Sequence, residues 1–108
     1  MYGTLSCLSP RQGQEQAVLD HLFRWEQEYL PRVSGYVDGY VFEPAAEGLA
    51  APGSITVLLV FDSQLSYTHN RDDPEQDRWE QQLRELLEQA LECNEGEITE
   101  ITGTLRGL

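Results

Sequence analysis

The sequence predicts an α+β fold of the ferredoxin-like kind, a βαββαβ chain whose four strands form one antiparallel sheet. Three observations carry that prediction. The hydrophobic period switches from two to 3.6 and back, twice along the chain. Residues 54–61 form a continuous apolar and β-branched run, the pattern of a strand buried on both sides. Asp73-Pro74-Glu75-Gln76 is a helix start, with Asp73 as N-cap, Pro74 in the first helical position and Gln76 spaced to reach back in a capping box. Right-handed crossovers then put both long helices on one face of the sheet. With 108 residues there is enough chain for one core and little for a second, so a single domain over residues 1–108 is expected.

The elements follow in order. Residues 2–8 read as a first strand, stopped by Ser9-Pro10. From Gly13 the period is helical: Val18, Leu22, Trp25, Tyr29 and Val33 fall on one arc, with Leu19, Phe23 and Leu30 in a second stripe beside it. That apolar face is wider than one sheet requires, which leaves part of it for a subunit or a ligand. Pro31 is accommodated as a kink, and the helix ends by Ser34-Gly35, where glycine allows a left-handed turn. The second strand spans residues 36–43, with Tyr36, Tyr40 and Phe42 on one face and Val37 and Val41 on the other. The prolines, glycines and alanines of residues 44–53 suit a surface connection into the third strand at 54–61. Asp62 or Ser63 caps a short helical segment reaching Asn70. The helix begun at Asp73 carries Trp79, Leu83, Leu86, Leu87 and Ala90 on its inner face and stops at Asn94-Glu95-Gly96; residues 97–105 then supply an edge strand.

Two helices on one face leave the other face of the sheet bare. Apolar residues occupy both faces of the second and third strands, a patch larger than a monomer ordinarily leaves in water. Pairing of two sheets in a homodimer covers it. The net charge of −12, with seven Arg and no Lys as the basic residues, repels phosphate backbones and anionic headgroups, so neither nucleic acid nor a membrane is an expected partner. The N-terminus has no basic segment followed by an apolar stretch, and no apolar run approaches the ~20 residues of a membrane span, so a cytoplasmic protein is expected. Cys7 and Cys93 are too few for a disulfide framework; free thiols are the first reading, although in antiparallel order the end of the first strand lies near the start of the fourth, which can bring the two together.

Gly3-Thr4-Leu5, Pro10-Arg11-Gln12-Gly13 leading into an amphipathic helix, Pro31-Arg32-Val33-Ser34-Gly35-Tyr36, and Val60-Phe61-Asp62-Ser63 entering a turn with Tyr67 resemble the dimeric α+β barrel superfamily. Within it they are most similar to antibiotic biosynthesis monooxygenase domains, over nearly the whole chain. That resemblance implies a barrel-like dimer of two ferredoxin-like sheets and a pocket between sheet and helices in each subunit. Some members are cofactor-independent oxygenases of polycyclic aromatics, some degrade haem, and active branches line the pocket with Asn, Trp and His or Tyr. Ser6 and Cys7 stand where haem-degrading relatives carry Asn, and Phe61 where they carry Trp, which sets this chain apart from that branch.

His69 and Asn70, with Tyr67 just before them, are the candidate catalytic residues. A histidine serves as general base near neutral pH and an amide can hold an oxyanion or peroxide, a pairing suited to reaction of a phenol or enol with oxygen. The same residues also suit a solvated helix end. Trp25, Phe61, Trp79 and Tyr40 are candidate pocket-lining residues for a small hydrophobic or aromatic ligand, although tryptophans at helical spacing also build cores. His21, flanking the first helix's apolar stripe, reads as a partly buried histidine satisfied by a hydrogen bond. No close ligand pair, P-loop, dinucleotide fingerprint or nucleophile elbow occurs, so no metal or other cofactor is expected. Three functions fit: a small-molecule-binding protein, a cofactor-independent monooxygenase of a small aromatic or polyketide-like substrate, and a non-catalytic structural dimer.

Overall fold

The computed structural model describes residues 1–44, 54–89 and 92–99. Four strands, β1 (Tyr2–Leu8), β2 (Tyr36–Phe42), β3 (Ile55–Phe61) and β4 (Glu92–Glu97), form one sheet in the order β2-β3-β1-β4, every pair antiparallel. Between them run α1 (Glu15–Glu28), α2 (Gln64–Arg71) and α3 (Pro74–Arg84), with a 3-10 turn at Leu30–Arg32. This is the predicted ferredoxin-like α+β arrangement. The core lies between sheet and helices: Leu8, Val57 and Phe61 from the strands meet Val18, Leu22 and Leu30. Phe23, placed on the second stripe, is instead half exposed at 53%.

Helix α1 stops at Glu28, short of the expected end. Pro31 has no N–H and its ring crowds the preceding turn, so the chain tightens at Leu30–Arg32 with Val33 N–H donating to Leu30 O at 3.0 Å. Gly35 then turns the chain at φ +84°, and its carbonyl receives Asp62 N–H at 2.8 Å. A Cβ at this position would also strike the Ser66 side chain. Gly35→Ala is expected to lose about 1–2 kcal/mol from the left-handed backbone alone, with the clash in addition, read as a fall in the denaturation midpoint.

The second strand departs from simple alternation. A bulge between Tyr36 and Asp38 lets Tyr36 pack toward the helices, while Tyr40 pairs with Leu58 and Phe42 with Thr56 on the opposite, open face. One extra residue therefore separates side chains that strict alternation groups together.

Helix α3 begins as predicted at Asp73, whose carboxylate accepts the N–H of Glu75 at 2.8 Å. The capping box does not form, because Gln76 Oε1 accepts the indole N–H of Trp25 at 3.0 Å instead. The helix ends at Arg84 rather than near residue 94. The following chain is captured by the exit of β1: Glu88 N–H donates to Ser9 O at 2.7 Å and Arg11 N–H to Leu86 O at 2.9 Å. This tertiary pairing shifts the last strand forward to Glu92–Glu97, so that Asn94-Glu95-Gly96 lies inside it, while Ile98 and Thr99 lie beyond it. Residues 45–53 of the predicted connection, Ala90 of the helix face and residues 100–105 of the predicted strand lie outside the described residues. Cys93 pairs with Ser6 and Cys7 with Glu92, which turns the two cysteines to opposite faces of the sheet, and both are free.

The face of the sheet turned away from the helices presents Leu5, Tyr40 and Phe42 at 42%, 57% and 64% exposure. Ile98 crosses the same face at Gly3, where a Cβ would collide with its side chain. Among the described residues no helix is long and apolar enough to cross a membrane.

Candidate functional site

Even-numbered residues of β1 point toward the helices, and the middle two are polar and small: Thr4 and Ser6. Opposite them stand bulky helix residues, Trp25 on α1 and Trp79 on α3. Small side chains on the sheet facing large rings leave a gap that the core does not fill. A cavity of about 100 Å³ occupies it, walled by Leu22, Trp25, Trp79, Phe61, Tyr67 and Asn70 among others. The exposed lining residues Arg71 and Cys93 mark the side turned to solvent.

The polar groups around this space are held in place by one another. Trp25 is tied to α3 through Gln76. The Tyr29 hydroxyl donates to Asn70 Oδ1 at 2.7 Å and also lies 3.2 Å from Asp73 Oδ2. One proton serves two acceptors, and the shorter contact takes the larger share. Burial first, and then the Asp73 carboxylate, hold the Tyr29 phenol well above its usual range, so this donor keeps its proton. Asn70 is 7% exposed, with its oxygen committed to Tyr29; among the described residues its Nδ2 has no partner. On the β1 side Thr4 Oγ1 donates to Asn94 O at 3.2 Å, and Ser6 Oγ lies 3.2 Å from Cys93 Sγ.

Tyr67 packs edge-on against Phe61, ring centroids 5.6 Å apart, with the Arg71 guanidinium 5.9 Å from its ring centre. Its phenol is raised above the usual value by burial and then by Glu95, against opposing pulls from the Thr4 hydroxyl and Arg71. It is therefore a hydrogen-bond donor at neutral pH and not a base.

Of the candidate catalytic residues, Tyr67 and Asn70 stand in the cavity wall, whereas His69 is exposed in the last turn of α2 and outside that wall. Neighbours along a helix are about 100° apart, so when Asn70 faces inward His69 faces out. Trp25, Phe61 and Trp79 line the cavity; Tyr40 does not, since the β2 bulge puts it on the open face, with its hydroxyl donating to Asp38 Oδ2 at 3.0 Å. The histidine at the cavity is His21, 3% exposed, its Nε2 2.9 Å from Trp79 O. The position of Thr4 and Ser6, polar residues on the inward side of a core strand, is the signal that marks the cavity in the sequence.

Burial lowers the His21 pKa, as does Arg24 more weakly, while the Trp79 carbonyl opposes them. The sign follows from linkage. A folded-state pKa below the ordinary ~6.5 means that the unfolded chain binds the extra proton more readily. The stability due to neutral His21 is complete above pH ~6.5 and is lost as pH falls through the folded value. Wild type should therefore lose stability toward pH 5 more steeply than His21→Phe does, measured by urea unfolding at each pH.

A four-stranded antiparallel sheet with helices on one face and a cavity between the layers defines the class of fold. No family model and no curated protein matches the chain. Solved structures do. A candidate antibiotic biosynthesis monooxygenase from Deinococcus radiodurans aligns with a TM-score of 0.77 at 17% identity, over 95% of this chain and 97% of that one. SnoaB, a cofactor-independent oxygenase from Streptomyces nogalater, aligns at 0.76 and 13% identity over 95% of each chain. A protein of unknown function from Nitrosomonas europaea aligns at 0.73 and 15% identity, over 94% of this chain and 91% of that one. The chain thus shares the ferredoxin-like α+β fold of solved structures named as antibiotic biosynthesis monooxygenases. Identities this low carry the architecture and not the activity.

Proposed function

We propose that this chain is a small-molecule-binding protein, acting as a homodimer through the open face of its sheet, with the ligand between sheet and helices. The observation that carries the reading is the cavity itself: a space walled by two indoles, Phe61 and Tyr67, with convergent polar groups at Asn70 and His21. Ligand sites have this composition, mostly apolar with a few placed polar groups. At about 100 Å³ it is smaller than the roughly 150 Å³ cavity known to enclose benzene, but it opens beside Arg71 and Cys93, so a single ring enters with part of the ligand reaching out toward those residues. The homodimer is supported by exposed Leu5, Tyr40 and Phe42, and cytoplasmic placement by the sequence features already described. Native mass spectrometry of the purified protein tests both parts. The expected spectrum shows twice the chain mass plus a small adduct released on denaturation; an adduct-free monomer contradicts the reading.

A second reading, cofactor-independent monooxygenase chemistry on a small aromatic substrate, is favoured by the fold shared with SnoaB and by an amide in the wall at Asn70. In that reading Asn70 Nδ2 supplies a donor to developing negative charge on oxygen. With His69 in solvent, the base that reading requires is not the one the sequence suggests.

A further inference from the structure

His21 stands apart from the other polar groups of the cavity. Its Nε2 faces the carbonyl of Trp79 at 2.9 Å, and a carbonyl oxygen only accepts, so the proton resides on Nε2. Nδ1 is then a bare lone pair. Among the described residues no donor reaches it, and since no fully enclosed side-chain atom there is left without a partner, Nδ1 keeps some access, on a residue that lines the cavity. The side chain is held firmly: it is 3% exposed, and its ring lies 5.2 Å from that of Trp79 at 53°.

The neighbouring acceptors are already engaged. Gln76 Oε1 takes the Trp25 indole and Asn70 Oδ1 takes the Tyr29 hydroxyl. Glu80, also in the wall, meets Arg84 at 3.4 Å. Of these acceptors His21 Nδ1 is the one with no donor among the described residues, and it stands beside aromatic walls. An acceptor without a protein donor at the cavity wall favours a ligand that can donate to it over a purely apolar one.

We propose that His21 is the specificity-determining residue of the cavity, its Nδ1 accepting a hydrogen bond from single-ring ligands that carry a hydroxyl or N–H donor. This rests on the cavity being a ligand site. Phenol and toluene are near-isosteric probes that differ in this one group. Calorimetric titration of both into wild type and His21→Phe should show the phenol-to-toluene affinity ratio falling about tenfold in the variant, the worth of one net hydrogen bond. A purely structural role for His21 would weaken both ligands alike and leave the ratio unchanged. In wild type the ¹⁵N resonance of His21 Nδ1 should move with phenol and not with toluene, with exposed His69 as the internal control; this readout stands even where the variant fails to fold. Binding of neither probe overturns the ligand-site reading, and the proposal with it. Binding of both with an unchanged ratio, or with an unmoved Nδ1, overturns the assignment to His21 alone.

Discussion

Replacing Phe61 with alanine should lower the unfolding free energy by about 3–5 kcal/mol, the largest single-residue effect expected in this chain. Phe61 is fully buried at the end of β3. Its ring meets Tyr36 with centroids 5.9 Å apart and Tyr67 at 5.6 Å, both edge-on, and Tyr67 in turn lies 5.4 Å from Tyr2. Deleting it removes the transfer free energy of a benzyl group and leaves neighbours that cannot close in, because β1 and β2 hold them in register on either side. Since the same ring lines the cavity, the variant should also have a larger one. Urea unfolding monitored by far-UV circular dichroism measures the loss. A change under 1 kcal/mol would mean that this end of the sheet repacks, contrary to the packing described.

Leu5→Arg should convert the proposed homodimer to monomer without unfolding it. Leu5 lies on β1, the second of the two central strands, on the face away from the helices, opposite Leu58 of β3. It is 42% exposed in the single chain, so an arginine there is solvated and the fold tolerates it. In a two-fold symmetric sheet-to-sheet contact the same substitution enters twice. An uncompensated charge buried in an interface costs roughly 3–5 kcal/mol, which corresponds to more than a hundredfold in the dissociation constant. Sedimentation at micromolar concentration should show the wild-type dimer replaced by the 12.3 kDa species with unchanged circular dichroism. An undisturbed dimer would place the interface elsewhere.

Much of the fold was legible because local signals agreed with the final packing. The run at Ile55–Phe61 and the start at Asp73-Pro74 gave β3 and α3 their places, and Ser63 is the cap of α2, its Oγ accepting Ser66 N–H at 3.2 Å. Where the sequence misled, a distant contact had overridden a local preference. Asn94-Glu95-Gly96 has the composition of a helix stop, yet pairing with β1 makes it a strand, since its backbone groups find partners there that no local pattern reveals. The capping box failed for a similar reason, Gln76 being taken by Trp25 from another helix.

The cavity was legible in its apolar walls and in part in its polar groups, since Tyr67 and Asn70 line it whereas His69 does not. Trp25, Trp79 and Phe61 sit at periodic apolar positions, so their inward direction could be read directly. His69 and Asn70 are adjacent, and only the orientation of α2 decides which faces inward; a segment of eight residues leaves that angle open in sequence. His21 flanks the stripe of α1 one residue before Leu22 and four before Trp25, a spacing that brings it onto the same side of the helix as the indole. Polar Thr4 and Ser6 across the sheet are what make that side a cavity rather than core.

The central claim is that this cavity receives a small ring, and it is tested most directly by the indole resonances. The chain has two tryptophans, Trp25 and Trp79, and both line the cavity, so every indole N–H signal in a ¹H–¹⁵N spectrum reports from its wall. Titration with toluene should move both signals saturably, while the backbone amides of Leu5 and Tyr40 on the open face stay in place. Indole signals that remain fixed as toluene approaches its solubility limit would contradict the claim.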